Sequence, residues 1–375
     1  MTRLCYCTNV HPAEDLPGIL AQLDRYAVPV REKLGVDRLG LGLWLAASVA
    51  GPLAADAEAR KRLRAELDAR GLDVITLNAF PYGGFHDEVV KLKVYEPRWT
   101  DPRRLQYTKD CATVLADLLP DSSAYGSIST LPLGWRTPWT PADDDASLTA
   151  LESLTSFLKS SPRVIKLAVE PEPGCILDTV ADTVAWLAPR VDPSVIGLCL
   201  DTCHLAVSFA DPVATVNSIR RTGLEVVKVQ ASAALHVDAP LDAREDLREF
   251  AEPRYLHQVR ELAPDGTVRK ADDLPEALDR LPGEGPWRVH FHVPLHAQPA
   301  APLASTTDVI TDVLRVLPAD RTIEVETYTW NVLPARHSYL PTPQAGSHPR
   351  PEQDLVDGIA AELAWAEGQL SLEVS

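Results

Sequence analysis

Apolar and polar positions along the chain follow two alternating periods. Short apolar runs at 4–10, 39–46, 72–80, 124–131, 163–170, 195–201, 224–230, 287–293 and 322–329 predict strands. Between most of them lie amphipathic stretches, at 13–34, 54–70, 103–118, 144–160, 176–189, 209–222 and 304–317, that predict helices. Strands alternating with helices imply a parallel sheet, because a parallel neighbour needs a crossover and the helix supplies it. Eight or so such units between residues 4 and 329 favour an α/β fold of the closed (β/α)8 TIM type over an open sheet. No Gly-x-Gly-x-x-Gly follows the first strand to support a dinucleotide fold.

Nine strands are one too many for that barrel. The excess lies between 224–230 and 322–329, where 255–273 reads as a small hairpin around the turn Pro264-Asp265-Gly266. We therefore expect 236–300 to be an insertion between the last two barrel strands with short strands of its own; otherwise one assigned strand lies outside the barrel. The stretch 331–353, rich in Pro, His and Ser, predicts a loop, and 354–370 a terminal amphipathic helix, all within a single domain over 1–375.

Composition narrows the function classes. Apolar residues make up 45% and charged residues 24%, which is ordinary globular usage. A net charge of −17 repels a phosphate backbone, so nucleic acid is an unfavourable partner. No apolar run reaches the roughly 18–20 residues of a membrane span, and the first residues lack a signal-peptide pattern, so a cytoplasmic location is expected. The six cysteines, Cys5, Cys7, Cys111, Cys175, Cys199 and Cys203, are expected to be reduced thiols.

In a TIM barrel the chemistry sits where strands end. Strand 163–170 runs into Glu170-Pro171-Glu172, strand 195–201 into Asp201-Thr202-Cys203-His204, strand 224–230 ends at Gln230, and strand 322–329 carries Glu324 and Glu326. A single carboxylate at a strand end more often caps a helix or pairs with a neighbour. Four such ends, with inward parity and hard oxygen donors, outline a divalent-cation site. The same parity puts Lys228 and Glu324 inside the barrel, and we expect them to pair one layer below the metal, with Glu326 level with Gln230 and Glu324 level with Lys228. His204 either completes the metal shell, binds substrate, or hydrogen-bonds locally. His290 and His292 share a strand face and can reach one site. Asn9, His11, Asn78, His86 and Tyr328 fall at other strand ends or on the loops beyond them, as candidate substrate contacts.

The strand-end series Glu170-Pro171-Glu172, Asp201-x-x-His204, Gln230 and Glu326 resembles the xylose-isomerase-like TIM barrels. The segments Tyr6-Cys7-Thr8-Asn9-Val10-His11-Pro12, Asn78-Ala79-Phe80-Pro81-Tyr82-Gly83-Gly84-Phe85-His86, His290-Phe291-His292-Val293-Pro294 and Glu324-Val325-Glu326-Thr327-Tyr328-Thr329-Trp330 more closely resemble the family called metabolite traffic protein EboE. The superfamily resemblance implies metal ligands Glu170, Asp201, Gln230 and Glu326, with His204 and His292 as further candidates. An oxygen-only set favours Mg2+ or Mn2+; the histidines keep Zn2+ open. It implies a sugar, sugar phosphate or cyclitol isomerase or epimerase working through an ene-diolate, with Glu170 and Glu326 as the proton-transferring carboxylates and Glu172 in reserve. The EboE resemblance implies a role in secondary-metabolite biosynthesis, alongside other pathway enzymes. The alternatives are a metabolite-binding or transfer protein without turnover, and a metal-dependent phosphoesterase of endonuclease IV type.

Overall fold

The computed structural model describes residues 3–318, 320–334 and 351–371. Strands β1 (Arg3–Cys7), β2 (Leu39–Trp44), β3 (Leu72–Asn78), β4 (Gly126–Thr130), β5 (Ile165–Val169), β6 (Ile196–Asp201) and β7 (Val226–Ala231) follow one another around a closed barrel. The barrel is completed by β13 (Thr322–Val325), which lies parallel between β7 and β1. The fold is the expected (β/α)8 barrel.

All nine predicted strands form, and the one at 287–293 stands outside the barrel. Directly after β7 the chain enters a second, antiparallel sheet built from β8 (Ala233–Val237), β9 (Val259–Leu262), β10 (Val268–Ala271), β11 (Trp287–Val293) and β12 (Ala304–Ser305), in the order β10-β9-β11-β8-β12. The expected hairpin is β9 paired with β10. In β11 six of seven residues are buried, because both of its faces are covered; such a strand has the same apolar signature in either kind of sheet. The pairing of β11 with β8 slips between Val289 and Val293, the stretch that carries His290 and His292. Such irregularities re-aim side chains.

Apolar strand residues facing outward, such as Leu167, Val169, Leu198 and Leu200, join the main core under the helices. Ala168 and Cys199 form a separate small cluster with Tyr125 and Val227. All six cysteines are buried and unpaired. Among the short elements not expected are the helix Ala47–Ala55 and the 3-10 turn Thr8–Val10, which ends the first predicted strand early and carries Asn9. The terminal helix runs Pro351–Ser371. Of the loop expected at 331–353, residues 335–350 lie outside the described residues. Among the described residues no helix is long and apolar enough to cross a membrane.

Candidate metal centre and pocket

Three carboxylates meet at the mouth of the barrel. Glu170 lies just past β5, Asp201 ends β6 and Glu326 lies just past β13, each no more than 5% exposed. One oxygen from each lies within 4.8 Å of the other two. Asp201 also caps the helix Thr202–Val207, accepting the backbone N–H of His204 at 2.8 Å, and takes a hydrogen bond from Ser232 at 2.8 Å. Both bonds fall on Oδ1. Oδ2 of Asp201 and Oε2 of Glu170 are buried without a hydrogen-bond partner.

Glu326 is held from several sides. Its Oε1 accepts from Asn9 Nδ2 at 2.6 Å and from Asn78 Nδ2 at 3.0 Å, while Gln230 Nε2 donates to Oε2. Burial and the nearby Asp201 push its carboxyl up to about 8. Burial and Glu326 likewise push Glu170 well above the usual carboxylate range. Carboxylates this close and this dry repel one another unless a proton or a cation lies among them. Bare buried oxygens, hard donors and mutual repulsion together fit a divalent cation held by Glu170, Asp201 and Glu326.

Gln230 departs from the ligand role expected of it. Its carboxamide oxygen accepts the Cys199 thiol and its nitrogen faces Glu326, so it braces that carboxylate and offers no free oxygen. In the sheet Gln230 is level with Glu324 on β13, where Glu326 was expected, and with Asp201 on β6.

Beside the triad, Glu172 Oε2 lies 3.0 Å from His204 Nε2, which is also 3.0 Å from His290 Nε2. Burial works against a charged His204, but Asp201 and Glu172 outweigh it and raise its pKa well above the ordinary histidine value. His290 is pushed the other way by burial and by His204. Glu172 is steadied by Tyr95, whose hydroxyl donates to Oε1 at 2.8 Å, and Gln258 in turn donates to Tyr95 at 2.9 Å.

A pocket opens here, with Glu170, Glu172, His204, His290, His292, Glu326, Asn9 and Asn78 as its polar side. The opposite side is apolar and aromatic: Phe80, Phe85, Val90, Val94, Tyr255 and Tyr328. Of the expected substrate contacts, Asn78, His204 and Tyr328 line this pocket, whereas His11 and His86 do not. His11 stacks on Tyr26 with ring centroids 4.4 Å apart and is hydrogen-bonded to Tyr6 at 3.2 Å, an interior role that burial reinforces by pushing its pKa down to about 3. His86 stands behind the pocket, bonded to the backbone oxygen of Asn9 at 2.6 Å. Tyr95, Tyr255 and Gln258 were missed. Their one signal in the sequence is that polar and aromatic side chains cluster at 255–258, where the predicted hairpin begins.

The closed parallel (β/α)8 barrel is a fold that the chain shares with solved structures. The chain is similar to the solved structure of the IolI protein with a bound zinc atom (13% identity, 99% of each chain covered, TM-score 0.53). It is similar to a xylose isomerase-like TIM barrel protein from Mycobacterium smegmatis in complex with magnesium (12% identity, 98% of this chain and 97% of that one, TM-score 0.51). It is also similar to a D-psicose 3-epimerase crystallised in the presence of D-fructose (13% identity, 98% and 99% covered, TM-score 0.51). No protein-family model and no curated protein matches the chain.

Proposed function

We propose that this chain is a divalent-metal-dependent isomerase or epimerase acting on a sugar, a cyclitol or their phosphates. The observation that carries the reading is the convergence of Glu170, Asp201 and Glu326 within 4.8 Å, with Glu170 and Glu326 lining the pocket. Glu170, Asp201 and Glu326 would hold the cation, and Mg2+ or Mn2+ suits an oxygen-only set. When bound, such a cation polarises a carbonyl and an adjacent hydroxyl, which makes the neighbouring C–H more acidic.

Glu170 and Glu326 come from separate strands, β5 and β13, so they approach a bound substrate from different sides. One carboxylate takes the proton from the carbon next to the carbonyl, the C–H electron pair forms the new carbon–carbon double bond, and the carbonyl π pair moves onto its oxygen, giving an ene-diolate. The other returns a proton, to the opposite face for epimerisation or to the adjacent carbon for isomerisation. Asn9, Asn78 and Gln230 fix the Glu326 carboxylate for that transfer. His204 and Glu172 stand where a substrate hydroxyl can be held. The apolar side of the pocket excludes water from the reacting carbons. The resemblance to the EboE family extends this reading to a step in secondary-metabolite biosynthesis.

Deuterium exchange tests the reading. Purified full-length protein supplied with Mg2+ or Mn2+ in D2O should place deuterium on the carbon beside the carbonyl of a ketose, an inosose or one of their phosphates. Glu170→Gln and Glu326→Gln should each slow this by roughly 10^2–10^4-fold. Tight binding of such compounds with no exchange would sink the enzymatic reading in favour of a metabolite carrier.

A further inference from the structure

Next to the carboxylate triad three imidazoles turn inward, and each is fixed in the same tautomer by a group that can only accept. His204 Nδ1 lies 2.8 Å from the backbone oxygen of Pro171, and His292 Nδ1 lies 2.7 Å from that of Glu326. Carbonyl oxygens do not donate, so both rings carry their hydrogen on Nδ1. His290 Nδ1 lies 2.6 Å from Gln258 Oε1. That amide cannot be turned round, because its Nε2 donates to the backbone oxygen of Pro173 at 2.8 Å. Nε2 is therefore the inward position of all three rings: a bare lone pair on His290 and His292, and on His204 a lone pair once the proton that Asp201 and Glu172 favour has left.

Beyond that one proton, little is at hand to satisfy these nitrogens. Nε2 of His204 and Nε2 of His290 face each other at 3.0 Å, with Glu172 Oε2 3.0 Å from the first, and His292 Nε2 is buried with no hydrogen-bond partner. The ring centroids are 4.5, 5.4 and 6.1 Å apart. One ligand atom each from Glu172, His204 and His290 falls within 4.8 Å, as does one each from Asp201, His204 and His292. Two nitrogens at such a separation need a positive centre between them, a proton or a metal ion. An imidazole whose outer N–H is tied to a carbonyl is the usual preparation of a metal ligand, since it fixes the ring and raises its basicity.

We propose that Glu172, His204, His290 and His292 form a second metal site, distinct from the oxygen-only triad and adjoining it at Asp201, for a borderline transition-metal dication of the zinc class. Three imidazole nitrogens and one carboxylate oxygen are the donor set such ions prefer, whereas the triad suits a harder ion. The site also accounts for the second sheet: its strand β11 supplies His290 and His292 from the irregular stretch, and the residue before β9, Gln258, orients His290. The inference does not rest on the isomerase reading.

Metal counting on the full chain tests it. Chelator-stripped protein titrated with Co2+ should take up two equivalents, the tighter with the visible absorption of a nitrogen-rich, low-coordinate site. His290→Ala and His292→Gln should each drop the count to one and remove that absorption. Glu326→Gln should keep it while losing the other equivalent. X-ray absorption of the zinc-loaded wild type should show imidazole scattering, a reading that needs no variant to fold. A single equivalent that survives His290→Ala, or a zinc shell without imidazole, would overturn the second site. Absence of deuterium exchange from protein carrying two metals would overturn only the isomerase reading.

Discussion

Lys228 and Glu324 are ion-paired at 2.5 Å with neither side chain exposed, although they are not level in the sheet: Thr322 faces Lys228 and Glu324 faces Gln230. The long lysine side chain climbs one layer to reach the carboxylate, and its ammonium also donates to Ser129 at 3.1 Å. Burial opposes its charge, yet Glu324 holds its pKa above the ordinary lysine value. Lys228→Met would leave a bare carboxylate in the barrel and should cost about 3–5 kcal/mol in urea unfolding. Adding Glu324→Gln should return a large part of that loss, because the double variant buries no charge. A loss below about 1 kcal/mol for the single variant would mean that Glu324 is not ionised there.

Room for this pair is made by a missing side chain. A Cβ at Gly42 on β2 would come within 2.5 Å of the Glu324 Cδ and 3.0 Å of the Thr76 methyl group. Gly42→Ala should therefore push Glu324 off Lys228 and destabilise the protein by about 1–3 kcal/mol from overpacking alone. In a Lys228→Met background the same substitution should cost measurably less, since there is no pair left to break. Equal costs in the two backgrounds would show that Gly42 serves only its backbone.

How much of this was legible follows from which forces are local. Strand ends were readable because side-chain parity is a property of the strand itself, so Glu170, Asp201 and Glu326 could be placed in one mouth from sequence. The Lys228–Glu324 pair was readable because two charges inside one barrel have to meet. Its register was not, because the stagger between β7 and β13 is set by closure of all eight strands. Strand β11 was visible as a strand but not as a member of another sheet. Tyr95 and Gln258 reach Glu172 from a loop and a hairpin whose meeting no local pattern encodes.

The terminal helix is tied to the site by one buried carboxylate. Glu362 accepts from Leu295 N–H at 3.0 Å, from the Thr327 hydroxyl at 2.6 Å and from Trp330 Nε1 at 2.8 Å, and burial pushes its carboxyl up to about 7 despite these donors. Glu362→Leu would strand three donors, each costing about 1–3 kcal/mol, and should lower stability by at least about 3 kcal/mol. Because Thr327 follows Glu326, the variant should also weaken Mg2+ or Mn2+ binding about 10-fold or more, the usual effect of losing an outer support. Calorimetric titration that finds unchanged affinity would confine Glu362 to a structural role.

The carboxylates at the mouth give the metal-free protein an inverted pH response. Glu326 rises from an ordinary glutamate value to about 8 on folding, through burial and Asp201, and Glu170 moves in the same direction. Between about pH 4.5 and pH 8 the folded chain then holds protons that the unfolded chain has released. Stability therefore falls as pH rises through that window. The Glu324 charge reinforces the rise, while Lys228 and the hydrogen bond from Asn9 oppose it. Chelator-treated protein should accordingly melt lower at pH 8 than at pH 5.5. A divalent cation displaces those protons, so its stabilising effect should grow with pH across the same range. In Glu326→Gln both trends should shrink together, since Glu326 contributes to each. A metal-free melting temperature that climbs from pH 5.5 to pH 8 would show that these carboxylates are already ionised in the folded chain, and that the repulsion among them is relieved by something other than protons.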